Sequence, residues 1–365
     1  MATFHRCATS CDHPKTNSPA MRIAQIAPLY ERVPPLMYGG TERVVSYLTE
    51  ELVRQGHDVT LFASGDSITR ARLIACSQRS LRLDKQVIDP LAHHFVLLEE
   101  VFARAAEFDI LHFHVDYLHY PISARHTELR HVTTLHGLLD LPDLKPLYKT
   151  FSRIPLVSIS HAQRRPLPWA NWQGTVYHGL PLDLYKASDA PGNYLVFLGR
   201  VAPEKRLDRA IEIAKRTGMP LKVAAKVDAA DRKYFDQSIK PLLDDPLVEW
   251  IGEVSEESGK PDLLANAYAL LFPIDWPEPF GLVLIEAMAS GTPAIAYRCG
   301  SVPELIEEGL TGFIVDDLNS AVEAVAKVQN VDRRLCRQRF EERFSIERMA
   351  QNYLEIYDRI LGPLG

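Results

Sequence analysis

Two glutamates in the second half of the chain have a spacing that could place both carboxylates in one cleft. They are Glu278 and Glu286, in the stretch EPFGLVLIEAMASGTPAIA. The apolar run LLFPI predicts a strand before Glu278, and Gly281 starts a predicted helix that contains Glu286. Carboxylates accept hydrogen bonds from sugar hydroxyls, and the amides at a helix N-terminus, here those of Phe280, Gly281 and Leu282, favour phosphate. A nucleotide sugar carries a diphosphate between a hexose and a ribose, and so offers this combination.

Cations near another predicted strand suit the same kind of ligand. The strand YLVFLGR ends at Arg200, and Lys205 follows five residues later in FLGRVAPEK. An arginine fork and a lysine point charge can bind different oxygens of a diphosphate, although surface cations are often only solvated. Gly39 and Gly40 follow the first strand, and because they have no side chains their backbone amides could approach an anion closely. A tight turn is the commoner reason for a lone Gly-Gly pair.

The elements around these residues predict two parallel sheets. From Met21 the chain alternates strand runs with amphipathic helices, beginning with MRIAQIAPLY, a helix that Thr41 could cap, and the strand DVTLFAS. After the linker-like stretch LDLYKASDAPGN the alternation restarts at YLVFLGR. Strand–helix–strand units pair in parallel, and ligands bind outside the carboxyl ends of such strands. The predicted fold class is α/β, with two doubly wound domains facing a central cleft.

Length and composition restrict the class of protein. The chain has 365 residues, 46% of them hydrophobic, and a net charge of −6, which suits two globular domains and argues against nucleic-acid binding. No run approaches the roughly 18 apolar residues of a membrane span, and five scattered cysteines suit reduced thiols in a cytoplasmic protein. Residues 1–20 lack the apolar core of a secretory signal and are expected to be disordered. A zinc site of Cys7, Cys11 and His13 would lack a fourth ligand.

Four motifs follow one another between residues 21 and 315, in the same order as in a known family. They are GGTERVV, VYHGLPLDLY, GRVAPEK and the E-x7-E stretch that runs from Glu278 to Glu286. Together they resemble the retaining glycosyltransferases of family 4, also called glycosyl transferases group 1, which have the GT-B fold. Only the E-x7-E stretch is specific on its own. The resemblance implies two Rossmann-like domains and a nucleotide-sugar donor, with UDP- or GDP-sugars foremost.

The resemblance implies a role for each matching residue. Glu286 would bind the nucleotide ribose, Glu278 the transferred sugar's hydroxyls near C3, and His136 in TTLHG its C6 hydroxyl. Arg200 and Lys205 would bind the diphosphate and stabilise the leaving group, so that no divalent metal or other cofactor is required. Further residues expected at the donor are Gly39, Gly40, Lys226, Glu253, Val254, Phe280, Gly281 and Leu282. The residues expected at the acceptor are Tyr38, Asp116 and Tyr117.

Some residues depart from the family pattern or allow a second interpretation. His178 stands where asparagine is more usual, and Lys226 stands where many relatives have a glycine-rich turn. Lys226 could point at the donor or be a solvated loop lysine. His112 and His114 share one face of a strand and could bind a metal. No third ligand is assignable, so core or cleft-lining positions are expected for them, and no metal site is predicted.

A weakly basic segment in the first half offers a possible contact with lipid. Between Arg70 and Lys85 lie five cations, which could attract a lipid headgroup or an anionic acceptor. Diluted clusters of this kind are common on solvated surfaces, which is the simpler interpretation. The expected location is therefore cytoplasmic, with peripheral contact at the inner membrane surface as the alternative.

The resemblance also implies a domain plan and an activity. After the extension of residues 1–20, residues 21–185 would bind the acceptor and residues 186–345 the nucleotide sugar, while residues 346–365 would form a helix that crosses back to the first domain. The expected reaction moves a hexose to a sugar, lipid-linked glycan or small-molecule acceptor, with retention by same-face attack, in polysaccharide biosynthesis. The alternatives are an epimerase or phosphorylase on this fold and a non-catalytic nucleotide-sugar-binding protein. A dehydrogenase is disfavoured because the dinucleotide fingerprint is missing.

Overall fold

Two parallel sheets organise the chain, which confirms the α/β fold class predicted from the alternating strands and helices. The computed structural model describes residues 20–37, 39–255 and 258–362. Nearly all of the expected N-terminal extension, with Cys7, Cys11 and His13, lies outside the described residues, and so does Tyr38.

Sheet 1 belongs to the N-terminal half of the chain. Its strands are β1 (Arg22–Ile26), β2 (Asp58–Ser64), β3 (Arg72–Ser77), β4 (Ile110–Phe113), β5 (His131–Thr134), β6 (Leu156–Ser158) and β7 (Trp172–Thr175). They pair in parallel in the order β3-β2-β1-β4-β5-β6-β7. The order reverses between β1 and β4, and ligands bind at the carboxyl ends of the strands beside such a switch point.

Sheet 2 belongs to the C-terminal half. Its strands are β8 (Leu195–Arg200), β9 (Leu221–Lys226), β10 (Val248–Trp250), β11 (Ala269–Phe272), β12 (Ala294–Tyr297) and β13 (Gly312–Val315). They are also parallel, in the order β10-β9-β8-β11-β12-β13. The switch point here lies between β8, which ends at Arg200, and β11, which leads to the loop that holds Glu278.

Helices pack on both sheets. They are α1 (Gly40–Arg54), α2 (Pro90–Ala103), α3 (Tyr120–Ser123), α4 (Leu144–Thr150), α5 (His161–Arg164), α6 (Leu207–Thr217), α7 (Arg232–Tyr234), α8 (Lys260–Ala265), α9 (Leu282–Ala289), α10 (Val302–Leu305), α11 (Leu318–Lys327), α12 (Arg333–Arg343) and α13 (Ile346–Leu361). As expected, α6 ends at Gly218, whose φ of 66° is left-handed. The expected Thr41 cap is wrong, because Thr41 lies inside α1 and the preceding Gly39 offers no side chain.

The last helix, α13, packs on sheet 1 although the strands before it belong to sheet 2. Its apolar face, which includes Met349 and Tyr353, joins the core formed by β1 and α1. Where the chain crosses over, the amide of Leu180 donates to the carbonyl of Phe344 at 2.9 Å. Beside this bond, a side chain on Gly179 would meet the Ser345 carbonyl, so the crossing requires glycine there.

The basic segment between Arg70 and Lys85 includes β3 at the edge of sheet 1. Its arginines all lie in ion pairs, which are Arg70–Glu50, Arg72–Glu107, Arg79–Asp84 and Arg82–Glu31. These carboxylates offset most of the positive charge that a lipid headgroup would meet, which favours the solvated-surface interpretation. In the described part of the chain, no helix combines the length and the apolar character needed to cross a membrane.

Candidate functional site

A cleft between the carboxyl ends of the two sheets contains two adjoining cavities. The larger, of about 760 Å³, is lined mainly by loops of sheet 1, and the smaller, of about 200 Å³, lies against sheet 2. The residues that line both are Gly39, Gly40, Arg200, Lys205, Glu278, Gly281 and Leu282. Seven residues expected from the sequence at the donor therefore meet where the two cavities join.

Ser301, immediately before α10, holds the loop that contains Glu278. Ser301 donates its amide to the Glu278 carbonyl at 3.0 Å and its hydroxyl to the Phe280 carbonyl at 2.6 Å. On the cleft side, Oε2 of Glu278 accepts from Nζ of Lys205. The same oxygen accepts from the indole N–H of Trp276 at 3.0 Å. The second oxygen, Oε1, accepts from no other group within the described chain. The carboxylate is therefore fixed through one oxygen and can accept a hydrogen bond through the other.

Glu286 lies inside α9 and is almost fully buried, with 4% of its surface exposed. Oε1 accepts a hydrogen bond of 2.8 Å from Nζ of Lys260, the first residue of α8. Burying a charge without a partner is unfavourable, and Lys260 supplies the partner here. Lys260 and Glu286 both line the smaller cavity, so this ion pair forms part of its wall.

Arg200 ends β8 among acidic side chains. It contacts Asp231 at 2.5 Å and Glu204 at 2.7 Å, and Asp228 lies 3.9 Å away. Lys226, next to Arg200 across the β8–β9 pair, lies 3.2 Å from Asp228. Lys226 lines the smaller cavity, together with Glu253 and Val254. Both cations are already neutralised by carboxylates in the absence of a ligand.

Helix N-termini from both halves face the cleft. Gly281 precedes α9 with a left-handed φ of 87°, and Gly40 opens α1. A Cβ on Gly40 would lie 3.7 Å from Cδ1 of Leu282, which shows how closely the two helix ends approach. The amides of a first helical turn have no acceptors inside the helix. The phenyl ring of Phe280 is buried against His178, so only its backbone can meet a ligand.

Four histidines lie at the sheet 1 side of the cleft. Nε2 of His136, just after β5, is 2.9 Å from Nδ1 of His114, and the ring of His178 stacks on His136 at 5.4 Å between centroids. Burial lowers the pKa of His136 to about 3 and holds those of His112, His114 and His178 well below their usual range. All four imidazoles are therefore neutral at physiological pH.

Two of the three residues expected at the acceptor line the larger cavity. Asp116 and Tyr117 follow β4 and lie on its wall, beside His136. Asp116 has a positive φ of 49°, an uncommon conformation that turns it out of the strand direction. The surrounding protein raises the pKa of Asp116 to about 6, but the residue is open to solvent in the cleft and stays ionised at neutral pH.

His112 and His114 are buried in the core beside the cleft, as expected. His112 contacts the Tyr357 hydroxyl and Thr134, and His114 contacts Gln25 and His136, so protein groups occupy all four ring nitrogens. Within residues 20–37, 39–255 and 258–362, no group of three or more histidine, cysteine, aspartate or glutamate side chains is arranged to hold a metal ion. Cys76, Cys299 and Cys336 are free thiols, as expected.

Known proteins resemble this chain in sequence and in fold. N-acetyl-alpha-D-glucosaminyl L-malate synthase from Bacillus anthracis is 35% identical over 114 residues, which are 28% of this chain and 30% of that protein. This chain spans less than half the length of the curated relatives it matches. AviGT4, a glycosyltransferase involved in avilamycin A biosynthesis, superposes with a TM-score of 0.71 at 24% identity, over 94% of this chain and 99% of that one. Anabaena HepE in complex with UDP-glucose superposes with a TM-score of 0.68 at 20% identity, over 92% of this chain and 98% of that one.

Two family models match successive parts of the chain. The model for Glycosyltransferase Family 4 matches residues 38–176, which hold most of sheet 1. The model for glycosyl transferases group 1 matches residues 186–342, which hold all of sheet 2. Together these matches account for most of the sequence and for both sheets, and the chain belongs to the group 1 glycosyltransferases of family 4, with the GT-B fold.

Proposed function

We propose that the protein transfers a hexose from a UDP- or GDP-sugar to an acceptor in the N-terminal half, with retention of the anomeric configuration and without a divalent metal. One observation carries this proposal: the two cavities meet where Lys205, Glu278 and the N-terminus of α9 come together. A diphosphate at this junction would place the nucleoside in the smaller cavity and the hexose in the larger one. The acceptor, which is a sugar, a lipid-linked glycan or a small molecule, would enter beside Asp116 and Tyr117.

The two glutamates divide the donor between them. Oε1 of Glu286 is held by Lys260, and Oε2 would accept from the ribose hydroxyls. Oε1 of Glu278 would accept from a hydroxyl of the hexose, while Trp276 keeps its hydrogen bond to Oε2 after Lys205 has turned toward the diphosphate. His136 would contact the C6 hydroxyl from the opposite wall. Each carboxylate is therefore oriented by protein groups before the donor binds.

The diphosphate would replace carboxylates as the partner of the cleft cations. Arg200 would turn from Asp231 and Glu204, and Lys205 from Glu278, toward phosphate oxygens, while the first-turn amides of α9 face the same charge. This exchange keeps both cations paired in each state. A fixed positive charge stabilises the leaving group as it departs, which is the role that a metal has in other enzymes.

The chemistry that we infer is a displacement on one face of the sugar. The acceptor hydroxyl oxygen bonds to C1 of the hexose as the bond from C1 to the β-phosphate oxygen breaks. The electron pair of that bond stays on the phosphate oxygen, which then takes the proton of the acceptor hydroxyl. Arg200 and Lys205 stabilise the charge that develops on the diphosphate, and no carboxylate bonds to the sugar.

The similar proteins support a nucleotide-sugar donor. Anabaena HepE, which has this fold, was solved in complex with UDP-glucose. The name of the Bacillus anthracis relative describes the joining of a glucosaminyl group to malate. Both are consistent with a protein that uses a nucleotide-sugar donor for glycosyl transfer.

A thermal-shift screen tests the donor. The purified protein is melted with UDP-, GDP-, ADP- and dTDP-sugars in the presence of EDTA. Because a ligand that binds only the native state raises the melting temperature, we expect one nucleotide to give a clear shift. Lys205→Ala should abolish it, whereas Lys215→Ala, which removes an ion-paired lysine on α6 outside the cleft, should keep it. No shift with any nucleotide sugar would contradict the proposed donor site.

Product analysis tests the reaction. Transfer requires an acceptor, an epimerase would act without one, and a phosphorylase would need free phosphate. We expect product only with an acceptor, the same anomeric configuration in donor and product by NMR, and no loss of rate with EDTA. Activity restored only by a divalent cation would contradict the role given to Arg200 and Lys205.

A further inference from the structure

A chain of hydrogen bonds runs from His136 into the core beneath the cleft. Nε2 of His136 contacts Nδ1 of His114 at 2.9 Å, and Nε2 of His114 lies 2.9 Å from the amide oxygen Oε1 of Gln25. The amide nitrogen Nε2 of Gln25 donates to the hydroxyl of Tyr357 on α13 at 3.2 Å, and this hydroxyl is 2.7 Å from Nδ1 of His112. The C-terminal helix is thereby connected to a residue of the proposed hexose site.

The same chain of bonds ends at a second tyrosine of α13. Nε2 of His112 is 2.7 Å from Oγ1 of Thr134, which is 3.0 Å from the hydroxyl of Tyr353. Gln25, His112, Thr134, Tyr353 and Tyr357 are all fully buried. We call this series, from Tyr353 through to His136, the hydrogen-bond chain.

Every member of the hydrogen-bond chain can donate one hydrogen bond along it and accept one. The histidines are neutral because burial lowers their pKa values, so each has one N–H and one bare nitrogen. A hydroxyl likewise gives one proton and accepts at oxygen, and a half-turn of the Gln25 amide exchanges its oxygen and nitrogen without moving a partner. The protons must therefore all point the same way, either toward Tyr353 or toward His136.

The two ends of the hydrogen-bond chain decide between these directions. If the protons point toward Tyr353, one hydroxyl proton at that end, on Tyr353 or on Thr134, has no acceptor in any contact of the described residues, although both groups are fully buried. If they point toward His136, which requires the half-turn of the Gln25 amide, each proton along the hydrogen-bond chain has an acceptor, and the last one lies on Nδ1 of His136, a residue that lines the larger cavity. A buried donor without an acceptor costs the full desolvation of that donor, which favours the second direction.

We propose that the hydrogen-bond chain fixes the ring proton of His136 on Nδ1, so that His136 can only donate a hydrogen bond to the substrate. Gln25, His114 and Tyr357 are then positioning residues for the hexose site. The structure requires an acceptor oxygen at this point of the substrate. Its identification with the C6 oxygen of a hexose rests on the proposed function.

NMR of the protein with ¹⁵N-labelled histidine tests the proton position without any substrate. Long-range ¹H–¹⁵N correlations distinguish protonated from bare ring nitrogens, and His136→Asn identifies the His136 signals by their loss. We expect Nδ1 of His136 protonated and Nε2 bare, with no change between pH 5.5 and pH 8. A proton on Nε2, or a second proton gained in this range, would overturn the proposal.

A pair of variants tests the connection to His136. His114→Phe removes the group that donates to Nε2 of His136, and we expect His136 then to populate both ring tautomers. Tyr353→Phe removes a hydroxyl from the far end but leaves Thr134 able to donate to His112, so the His136 spectrum should stay as in the wild type. An unchanged His136 tautomer in folded His114→Phe would show that the hydrogen-bond chain does not set it, and the wild-type spectrum decides the matter if that variant does not fold.

Substrate analogues test the hydrogen bond to the sugar. UDP-glucose is compared with its 6-deoxy and 6-deoxy-6-fluoro analogues, because fluorine can accept a hydrogen bond weakly but cannot donate one. We expect the fluoro analogue to keep at least tenfold more of kcat/KM than the deoxy analogue. Equal losses would overturn the sugar contact. The expected NMR result without turnover of UDP-glucose would contradict the proposed donor and leave the proton position standing.

Discussion

The charged residues of the cleft are paired before any ligand binds. Lys205 holds Glu278, and Lys260 holds Glu286 at 2.8 Å. The pairs differ in what the donor would do to them, because Lys205 would turn to phosphate while Lys260 would stay on its glutamate. Only 11% of the Lys260 side chain and 5% of the Glu286 side chain are exposed. This second pair therefore stabilises the fold in addition to its proposed role at the donor.

Removal of one partner of the buried pair should cost both stability and donor affinity. Lys260→Met leaves the Glu286 carboxylate buried without a counter-charge, and breaking a buried pair costs about 3 kcal/mol. We expect a lower urea midpoint and loss of the nucleotide-sugar thermal shift. Glu286→Gln in the same chain should restore much of the stability, because no unpaired charge remains, but not the affinity.

A double-mutant cycle checks this reasoning. The two single substitutions and the double substitution are compared in urea unfolding, with Lys222→Met as the control. Lys222 pairs with Glu249 at 3.6 Å, and Glu249 is 63% exposed, so its loss should change stability little. Additive effects of the Lys260 and Glu286 substitutions would mean that the two residues do not depend on each other.

The sequence predicted the residues of the site that belong to short motifs and missed those brought there by folding. Glu278 and Glu286 are eight positions apart, in a loop and in the helix that follows it. Their relative positions in space therefore follow from local structure alone. Lys260 is 26 positions from Glu286, and Gln25 is 89 from His114, so no local pattern connects them. Side-chain pairs of this kind become visible only when the strand order is known.

At the scale of elements, the carboxyl ends of β4 and β5 and the segment after β7 bring neutral histidines together. His178 stands in that segment where the family more often has asparagine, and Nδ1 of its ring is buried without a partner among the described residues. Burial is the main cause of its lowered pKa. In the unfolded chain the same ring takes up a proton below about pH 6.5. The folded state must therefore lose stability as the pH falls below that value.

His178→Asn should reduce the acid sensitivity of the fold. The wild-type free energy of unfolding includes a loss at this residue of about 1.4 kcal/mol between pH 7.5 and pH 5.5. The unfolded variant has no histidine to protonate at this position. Between the two pH values its free energy of unfolding should therefore fall by about 1.4 kcal/mol less than that of the wild type, as measured by urea unfolding. His126→Asn is the control, because the His126 side chain is 51% exposed. Equal pH dependence of His178→Asn and the wild type would contradict the assignment of a neutral buried ring.

The crossing of the chain from sheet 2 to sheet 1 depends on one glycine. A Cβ on Gly179 would lie 2.4 Å from the Ser345 carbonyl oxygen, whereas a Cβ on Gly137 would meet nothing within 4 Å. We expect Gly179→Ala to lower the free energy of unfolding by about 2 kcal/mol, because the backbone must shift to admit the methyl group. Gly137→Ala should leave it within about 0.5 kcal/mol. Equal urea midpoints for the two variants would mean that the crossing can relax.

The sequence predicted the long elements better than the short edge strands. The helix IERMAQNYLEIYDRIL was predicted over the residues that form α13, because its apolar positions recur at helical spacing. In the structure Ser345 caps this helix. The strands β3, β7 and β13 were not predicted. β3 carries Arg72 within a segment interpreted as basic surface, and β7 and β13 have four residues each. Short strands at a sheet edge are defined by pairing with a neighbour, which periodicity does not show.

At the scale of the whole molecule, one carboxylate bridges the two halves. Glu304, on α10 of the sheet 2 half, accepts from the amides of His161 and Ala162 at 2.7 Å and 2.6 Å. It also accepts from the hydroxyl of Tyr177 at 3.0 Å. All three donors belong to the sheet 1 half, and two of them are first-turn amides of α5, where a negative charge is favourable. The bridge therefore ties together the two sides of the cleft, between α10 and α5.

Glu304→Gln should loosen this bridge without unfolding either half. The amide keeps the size of the side chain, but it loses the charge and can no longer accept through both groups, which weakens the bridge by about 1–2 kcal/mol. We expect a larger radius of gyration by small-angle X-ray scattering and a donor KM raised at least several-fold. Glu307→Gln is the matched control, because Glu307 pairs with Arg339 and Arg343 inside the C-terminal half. An unchanged radius of gyration with an unchanged KM would mean that other contacts set the cleft width, and the apolar contact of Leu282 with the sheet 1 core would then be the next to test.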